Sequence, residues 1–374
     1  MLEFDESENQ DKLDRLIMGH CLELARGALG KTAPNPLVGC VITKNGQIMG
    51  EGFHPGAGHP HAEVFALREA GEKARGATAY VNLEPCNHYG RTPPCTEALI
   101  AAGVARVAIG MIDPNPLVAG AGVARLRDAG IEVLVGVLEA ECRELNEAFI
   151  HRMLYHRPFG ILKYAMTLDG KIATTTGHSS WVTSQEARSE VHKLRVACDA
   201  VIIGGNTVLR DNPFLTSRRS RDDNPLRVVM SRSLDLPTEA NLWDVSEAET
   251  LVFTEIDSNR EFQKYLRQKG VEVVETSTLT PAVVMANLYD RGFLSVLWEC
   301  GGTLAAKAIA DGAVQKIWAF IAPKIIGGEI APSPVGDLGL TKMTESLELE
   351  NVSMRVVGCD YLLAGYLQQE EEKT

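Results

Sequence analysis

His61-Ala62-Glu63, then Leu83-Glu84-Pro85-Cys86, then Cys95 nine positions on, form the stretch that decides how this chain is read. A strand-like run, Ala79-Tyr80-Val81-Asn82-Leu83, separates the first triplet from Pro85-Cys86, and the residues over 96–102 read as a helix. One imidazole and two thiolates so placed are the three protein ligands of a hydrolytic zinc site, which keeps its fourth position for water. A bound zinc lowers the pKa of its water from about 16 toward 7. Glu63 stands two residues beyond His61, at the start of a helix predicted over 61–74. It can therefore reach that water without ligating the metal and act as the catalytic proton carrier. Neither His-x-Glu nor Pro-Cys says much alone; their order around a strand carries the reading.

That order is the pattern of the nucleoside and nucleobase deaminases. One departure matters. The usual signature has two residues between its cysteines, whereas here eight intervene, among them His88, Tyr89 and Arg91. Such a loop suits a polar or phosphorylated substrate better than a base in a nucleic-acid strand, and His88 stands as an alternative ligand. Upstream, Asn35 lies between two prolines; its amide is placed either to read a base edge or simply to complete a turn.

Working outward, 13–29 has helical spacing, and strand-like runs at 37–42 and 47–52 flank Lys44-Asn45-Gly46, a hairpin signal. Strands over 104–109 and 131–135 enclose a helix over 119–129, and a helix over 139–154 stops before Arg157-Pro158. The order then restarts, with strands over 160–166, 200–204, 226–230, 249–253, 271–274, 296–299 and 316–322 and a helix over 184–197. Two α/β domains are expected, residues 10–152 and 158–368, the first with three αβα layers. Residues 217–224 read as a polar exposed loop and 370–374 as a frayed tail.

Composition limits the partners. Across 374 residues, 37 Lys+Arg against 49 Asp+Glu leave a net charge of −12, a poor basis for sequence-independent nucleic-acid binding. One phosphorylated small molecule needs only a few local cations. The acidic start and the lack of any apolar run of about 18 residues argue against a signal peptide or a membrane span. A cytoplasmic, homo-oligomeric protein is expected, with six of eight cysteines acting as buried hydrophobes.

The second half lacks Gly-x-Gly-x-x-Gly after its first strand, so a Rossmann site is not supported. Two other turns, Ile203-Gly204-Gly205-Asn206-Thr207 and Glu299-Cys300-Gly301-Gly302-Thr303-Leu304, follow apolar strands and open helices. Together they suggest a dinucleotide cradle. Ser231-Arg232-Ser233, after the strand over 226–230, is a candidate grip for a 2′-phosphate and favours NADPH.

Thr32-Ala33-Pro34-Asn35-Pro36-Leu37-Val38-Gly39-Cys40-Val41, the His61 segment and Leu83 to Cys95 resemble the bifunctional deaminase/reductase family of riboflavin biosynthesis. The resemblance continues through Leu162-Lys163-Tyr164-Ala165-Met166-Thr167-Leu168-Asp169-Gly170-Lys171, through Asp199 to Pro213, and through Ala322-Pro323-Lys324-Ile325-Ile326-Gly327-Gly328. It implies a cytidine-deaminase-like first domain with one Zn2+ and a dihydrofolate-reductase-like second domain with NADPH. The implied reactions are deamination of 2,5-diamino-6-ribosylamino-4(3H)-pyrimidinone 5′-phosphate and reduction of its ribosyl group to ribityl. A chain active in one step alone is the alternative. On matching positions, Ala165, Trp181, Thr207, Asp211, Gly301, Gly302, Thr303, Leu304, Ala305 and Ala306 would line the cofactor. Asn35, Ser179, Arg195, Leu215, Arg218 and Glu299 would face substrate, with Arg195 and Arg218 gripping its phosphate. Lys163, Asp211 or Glu299 would handle protons. The family often has Asp-Ser where this chain has Ser231-Arg232, which leaves the detailed 2′-phosphate contact open.

Overall fold

The computed structural model describes residues 6–89, 93–116, 118–218 and 224–368. The chain divides into two compact units, one ending at His156 and the other starting at Arg157.

In the first unit the order is α1 (Glu6–Arg26), β1 (Gly39–Lys44), β2 (Gln47–Phe53), α2 (Ala62–Ala70), β3 (Thr78–Leu83), α3 (Cys95–Ala102), β4 (Arg106–Met111), α4 (Ala121–Asp128), β5 (Glu132–Val135), α5 (Glu139–Leu145) and α6 (Glu147–Tyr155). The sheet order is β2-β1-β3-β4-β5. β1 pairs antiparallel with β2 and β3, while β3, β4 and β5 run parallel. Asn45 and Gly46, at φ 53° and 74°, make the β1–β2 turn, the positive φ values that Asn-Gly accommodates. Helices α2, α3 and α4 bury Ala62, Ala66, Leu99, Val123 and Leu126 on one face of the sheet, against Ile42, Val81, Val107 and Ile109. α1 and α5 cover the other face, giving the three layers read from the sequence. The helix expected over 139–154 is two helices, broken at Asn146 (φ −105°), whose buried amide is committed to Leu37. α1 begins earlier than the apolar spacing indicates, because its first turns are polar and carry no period.

The second unit comprises β6 (Phe159–Thr167), α7 (Gln185–Ala197), β7 (Ala200–Gly204), α8 (Gly205–Asp211), β8 (Leu226–Met230), β9 (Thr250–Glu255), α9 (Arg260–Gln268), β10 (Glu272–Thr276), α10 (Pro281–Asp290), β11 (Ser295–Trp298), α11 (Gly302–Ala310), β12 (Lys316–Ala322), β13 (Leu349–Val357) and β14 (Asp360–Leu367). Its sheet runs β10-β9-β8-β7-β11-β6-β12-β14-β13. All strands from β10 to β12 are parallel, and β14 and β13 add antiparallel at the edge. The inner parallel strands are mostly apolar runs because helices bury both their faces, with Trp298, Phe253 and Leu162 at the centre. The β13–β14 hairpin is absent from the sequence reading. Val352, Met354 and Val356 do alternate in β13, but that face is exposed.

Of the expected exposed loop over 217–224, residues 219–223 lie outside the described residues. Ser217 is buried rather than exposed, because its N–H and Oγ donate to Asn224 Oδ1 at 2.7 and 2.8 Å. The tail over 370–374 also lies outside the described residues. Among the described residues no helix is long and apolar enough to cross a membrane.

Candidate functional site

Three element boundaries converge in the first unit. His61 is the N-cap of α2, in extended conformation, with its side chain free of the capping role. Cys86 follows the end of β3, and Cys95 is the first residue of α3. Their ligand atoms lie within 4.8 Å of one another, the one such His/Cys/Asp/Glu group among the described residues. His61 Nδ1 is 3.2 Å from Cys95 Sγ and 3.5 Å from Cys86 Sγ. Zinc bonds of about 2.3 Å to sulfur and 2.0 Å to nitrogen at tetrahedral angles separate such atoms by roughly 3.5 Å, so the donor set fits zinc. The Cys95 backbone N–H donates to Cys86 Sγ at 3.3 Å. The hydrogen bond from Cys95, then the bond from His61, hold the Cys86 thiol well below its ordinary range, the direction a thiolate ligand needs. His88 is not in the cluster.

Glu63 sits in the first turn of α2 and is 3% exposed. Its Oε2 is buried without a hydrogen-bond partner, an acceptor with nothing on the chain to accept from. Burial is the largest influence on its carboxyl and raises it above the ordinary carboxylate range. A zinc-held water beside His61, Cys86 and Cys95 is the group such an orphan oxygen fits.

Asn35 is placed by a residue the sequence reading missed. His54 is buried, its ring packs edge-on against His61 with centroids 5.5 Å apart, and its Nδ1 contacts Pro60 O at 3.0 Å. Its Nε2 lies 3.0 Å from Asn35 Nδ2. With Nδ1–H donating to the carbonyl, Nε2 accepts from the Asn35 amide. Burial lowers the His54 pKa and keeps this neutral tautomer. Next to Asn35, Leu37 N–H donates to Asn146 Oδ1 at 2.8 Å, and Leu37 O accepts from Asn82 and Asn146 at 2.9 and 3.0 Å. Only Asn82 carried a signal, its polarity inside the apolar run from Ala79 to Leu83. Arg91, in the loop between the two cysteines, lies outside the described residues.

In the second unit a cleft of about 860 Å³ opens at the carboxyl ends of β6, β7, β8 and β11, where parallel sheets place ligands. Lys163, Ala165, Ser179, Trp181, Thr207, Asp211, Glu299, Gly301, Gly302, Thr303 and Leu304 all line it, as do Ser231, Arg232 and Ser233. Both Gly-Gly turns meet here. A Cβ on Gly302 would stand 2.6 Å from Ser333 O, so only glycine fits that close approach, whereas one on Gly301 would meet nothing within 4 Å. The open side at Gly301 and the cationic lining (Arg188, Arg210, Arg232, Lys307) fit a dinucleotide phosphate chain.

Two expectations differ here. Ala305 and Ala306 are 0% and 5% exposed and pack in the core; Ala305 N–H is spent on Gly301 O, so neither lines the cleft. Arg195, expected to grip a phosphate, is engaged with protein acceptors through three of its five N–H groups. Its Nε and Nη2 donate to Glu299 Oε1 and Oε2 at 2.6 and 3.0 Å, and its Nη1 to Thr216 O at 3.0 Å. Lys163 Nζ completes the cluster, 2.9 Å from Glu299 Oε2. Burial by itself would raise the Glu299 carboxyl; Arg195 and then Lys163 override it and hold it far below the usual range. Leu215 is buried at φ 54°, and neither it nor the exposed Arg218 is among the cleft-lining residues. Asp211 is exposed and accepts from Ser179 Oγ at 3.4 Å, away from the Glu299 cluster.

Comparison with known proteins agrees with this division. Residues 11–111 match the family model of the cytidine and deoxycytidylate deaminase zinc-binding region, and residues 158–363 match that of the RibD C-terminal domain. The riboflavin biosynthesis protein RibD of Synechocystis sp. is 62% identical over 95% of this chain and 96% of its own length. That of Escherichia coli is 41% identical over 94% and 98%. The crystal structure of a diaminohydroxyphosphoribosylaminopyrimidine deaminase/5-amino-6-(5-phosphoribosylamino)uracil reductase from Thermotoga maritima superposes with a TM-score of 0.83 at 36% identity, covering 96% of this chain and all of that one. One form of Acinetobacter baumannii RibD gives 0.84 at 38%, again covering 96% of this chain. The chain belongs to the RibD family of riboflavin biosynthesis proteins, which joins a zinc-dependent deaminase to an NADPH-dependent reductase.

Proposed function

We propose that the chain performs two successive reactions on one phosphorylated pyrimidine. The first is hydrolytic deamination of 2,5-diamino-6-ribosylamino-4(3H)-pyrimidinone 5′-phosphate; the second is reduction of the ribosyl group to ribityl. The observation that carries this reading is the presence of two built polar sites, one per unit: the His61, Cys86, Cys95 and Glu63 group, and the cleft around Lys163 and Glu299.

His61, Cys86 and Cys95 would hold zinc, which when bound makes water acidic enough to attack near neutral pH. Glu63 Oε2 takes a proton from the attacking water and passes it to the amino nitrogen. The C–N bond breaks and ammonia leaves, while the remaining hydroxyl proton moves to the ring nitrogen, so the ring keeps the water oxygen as a carbonyl. A carboxyl raised by burial suits this exchange, since it holds the proton between the two transfers. Asn35, its amide oriented by His54, presents Oδ1 to a ring N–H or amino group.

In the second unit NADPH, when bound, supplies hydride to the sugar carbon once the ribosylamine has opened to an imine. Ring opening needs a proton on the ring oxygen. Lys163 is the donor we assign, because Glu299 is clamped as a charged acceptor by Arg195 and Asp211 lies outside the cluster. Ser179, on the cleft wall, remains as a substrate contact. Arg232 is exposed at the end of β8 and faces the cleft, where it would meet the cofactor's 2′-phosphate. Arg232→Ala is expected to raise the KM for NADPH about tenfold, the effect of 1.4 kcal/mol, with little change for NADH. Equal losses with both cofactors would remove Arg232 from that role.

Thiolate ligands and NADPH suit the reducing cytoplasm, and we infer self-association, which sedimentation of the full chain measures. Nothing favours a chain active in one step alone. Supplying the diaminopyrimidine substrate with and without NADPH, while following ammonia and NADPH absorbance separately, tests the whole reading. Ammonia should appear in both cases, and NADPH should fall only when deamination has proceeded. Absence of either signal overturns the two-step assignment.

A further inference from the structure

Glu84 is the one charged residue in the run from Ala79 to Cys86, and it is 4% exposed. It has no cationic partner among its hydrogen bonds. Instead its carboxylate accepts four backbone N–H groups: Oε1 from Gly122 and Val123 at 2.8 and 3.0 Å, and Oε2 from Asp113 and Gly120 at 3.1 and 3.0 Å. Two of these amides open α4, where the helix dipole also favours a negative charge. Four charge-assisted bonds on one carboxylate leave it little freedom.

The neighbours of Glu84 follow from this. A Cβ on Gly122 would stand 2.2 Å from Pro85 O, so the first turn of α4 is pressed against the peptide that leads into Cys86. On the far side of the cysteine, Asn87 Nδ2 donates to Ala121 O at 3.3 Å, and Asn87 Oδ1 accepts from Thr96 Oγ1 at 2.9 Å. Cys86 is therefore held from both flanks by α4, a helix that contributes no ligand. The ligand from α3 then meets it through the Cys95 N–H to Cys86 Sγ contact of 3.3 Å.

We propose that Glu84 is a positioning residue of the metal site: by gathering the amides of 113–123 onto its carboxylate, it docks the Pro85-Cys86 turn on α4 and sets where the Cys86 sulfur stands. This rests on the reading of His61, Cys86 and Cys95 as the zinc site. Glu84 touches neither substrate nor the reacting atoms, so its effect is on the geometry and affinity of the donor set. Outer groups that orient metal ligands are typically worth about 10–100-fold in metal affinity.

The test uses the full chain, as wild type, Glu84→Gln and Gly122→Ala. The glutamine keeps the shape but turns an NH2 toward two of the four amides; the alanine Cβ would stand 2.2 Å from Pro85 O and 3.1 Å from Glu84 Oε1, so it disturbs the same docking without removing the carboxylate. Zinc affinity is measured by chelator competition, and the cobalt-loaded protein gives the thiolate charge-transfer and d–d bands that report sulfur geometry. Reductase turnover checks the second unit. Both variants should bind zinc about 10–100-fold more weakly, with shifted cobalt bands and unchanged reductase turnover. Wild-type affinity and an unshifted cobalt spectrum in Glu84→Gln overturn the proposal, even if that variant unfolds at a lower temperature, because Glu84 would then be stabilising only. Should Glu84→Gln fail to fold, the same two readouts on Gly122→Ala decide the matter in the same way. A wild-type chain that takes up no zinc would instead sink the zinc-site reading itself.

Discussion

Glu63→Gln is expected to lower ammonia release by about 10²–10⁴-fold while the chain keeps its zinc. Glutamine matches the shape of the side chain but cannot shuttle a proton between water and the leaving nitrogen. Glu63 Oε2 has no partner on the chain, so the substitution breaks no hydrogen bond made by that oxygen. His61, Cys86 and Cys95 are untouched, which separates loss of chemistry from loss of metal. Replacing a carboxyl that burial holds above its ordinary range with a neutral amide also leaves no unpaired charge in the core. The decisive pair of measurements is metal content and ammonia release on the same preparation. Near-normal deamination in the zinc-loaded variant would dismiss the assigned role.

The second large effect is expected from Arg195→Ala. Glu299 is 7% exposed at its side chain and held between Arg195 and Lys163, so removing the arginine leaves a buried carboxylate with one cation in place of two. Breaking a buried pair in this way costs about 3–5 kcal/mol, because the surviving charge stays desolvated. For a unit of this size that lowers the melting temperature by roughly 10 °C. NADPH oxidation should fall with it, through kcat more than KM, since Arg195 acts through Glu299 and not by holding phosphate. Ammonia release should stay at the wild-type rate. The sign of the pH dependence follows from the depressed Glu299 carboxyl. Its contribution is complete above the ordinary value of 4.5 and drains away as pH falls below it. In Arg195→Ala this acid-side loss should be smaller. An unchanged melting curve together with a pure KM effect would restore the direct phosphate contact read from the resemblance.

What the sequence made legible were groups whose chemistry is rare at their spacing. His61, Glu63, Cys86 and Cys95 stand out because a ligand set needs those elements, and element boundaries marked by Pro85 and Pro94 bring them together. The alternation of strands and helices likewise exposed both α/β units, since the inner parallel strands are mostly apolar runs. Residues whose partners are main-chain groups stayed hidden. Glu84, Asn82 and Asn146 bond to backbone atoms far along the chain, and no spacing rule points to them. The pairing of Arg195 stayed hidden for a related reason: its carboxylate partner lies 104 positions away. Ala305 and Ala306 followed the glycine turn in sequence but turned inward with α11. The β13–β14 hairpin escaped because its apolar alternation faces outward, the reverse of the rule.

Leu37 offers a last consequence. Its N–H and C=O are both taken by asparagine side chains from β3 and from the α5–α6 junction, although the residue belongs to no helix or strand. The neighbouring Asn35 thus stands on a segment whose conformational entropy is surrendered when the domain folds, not when a ligand arrives. Association with this face then requires little ordering of the chain, so in the role proposed for Asn35 discrimination among pyrimidines would fall on the fit of its amide.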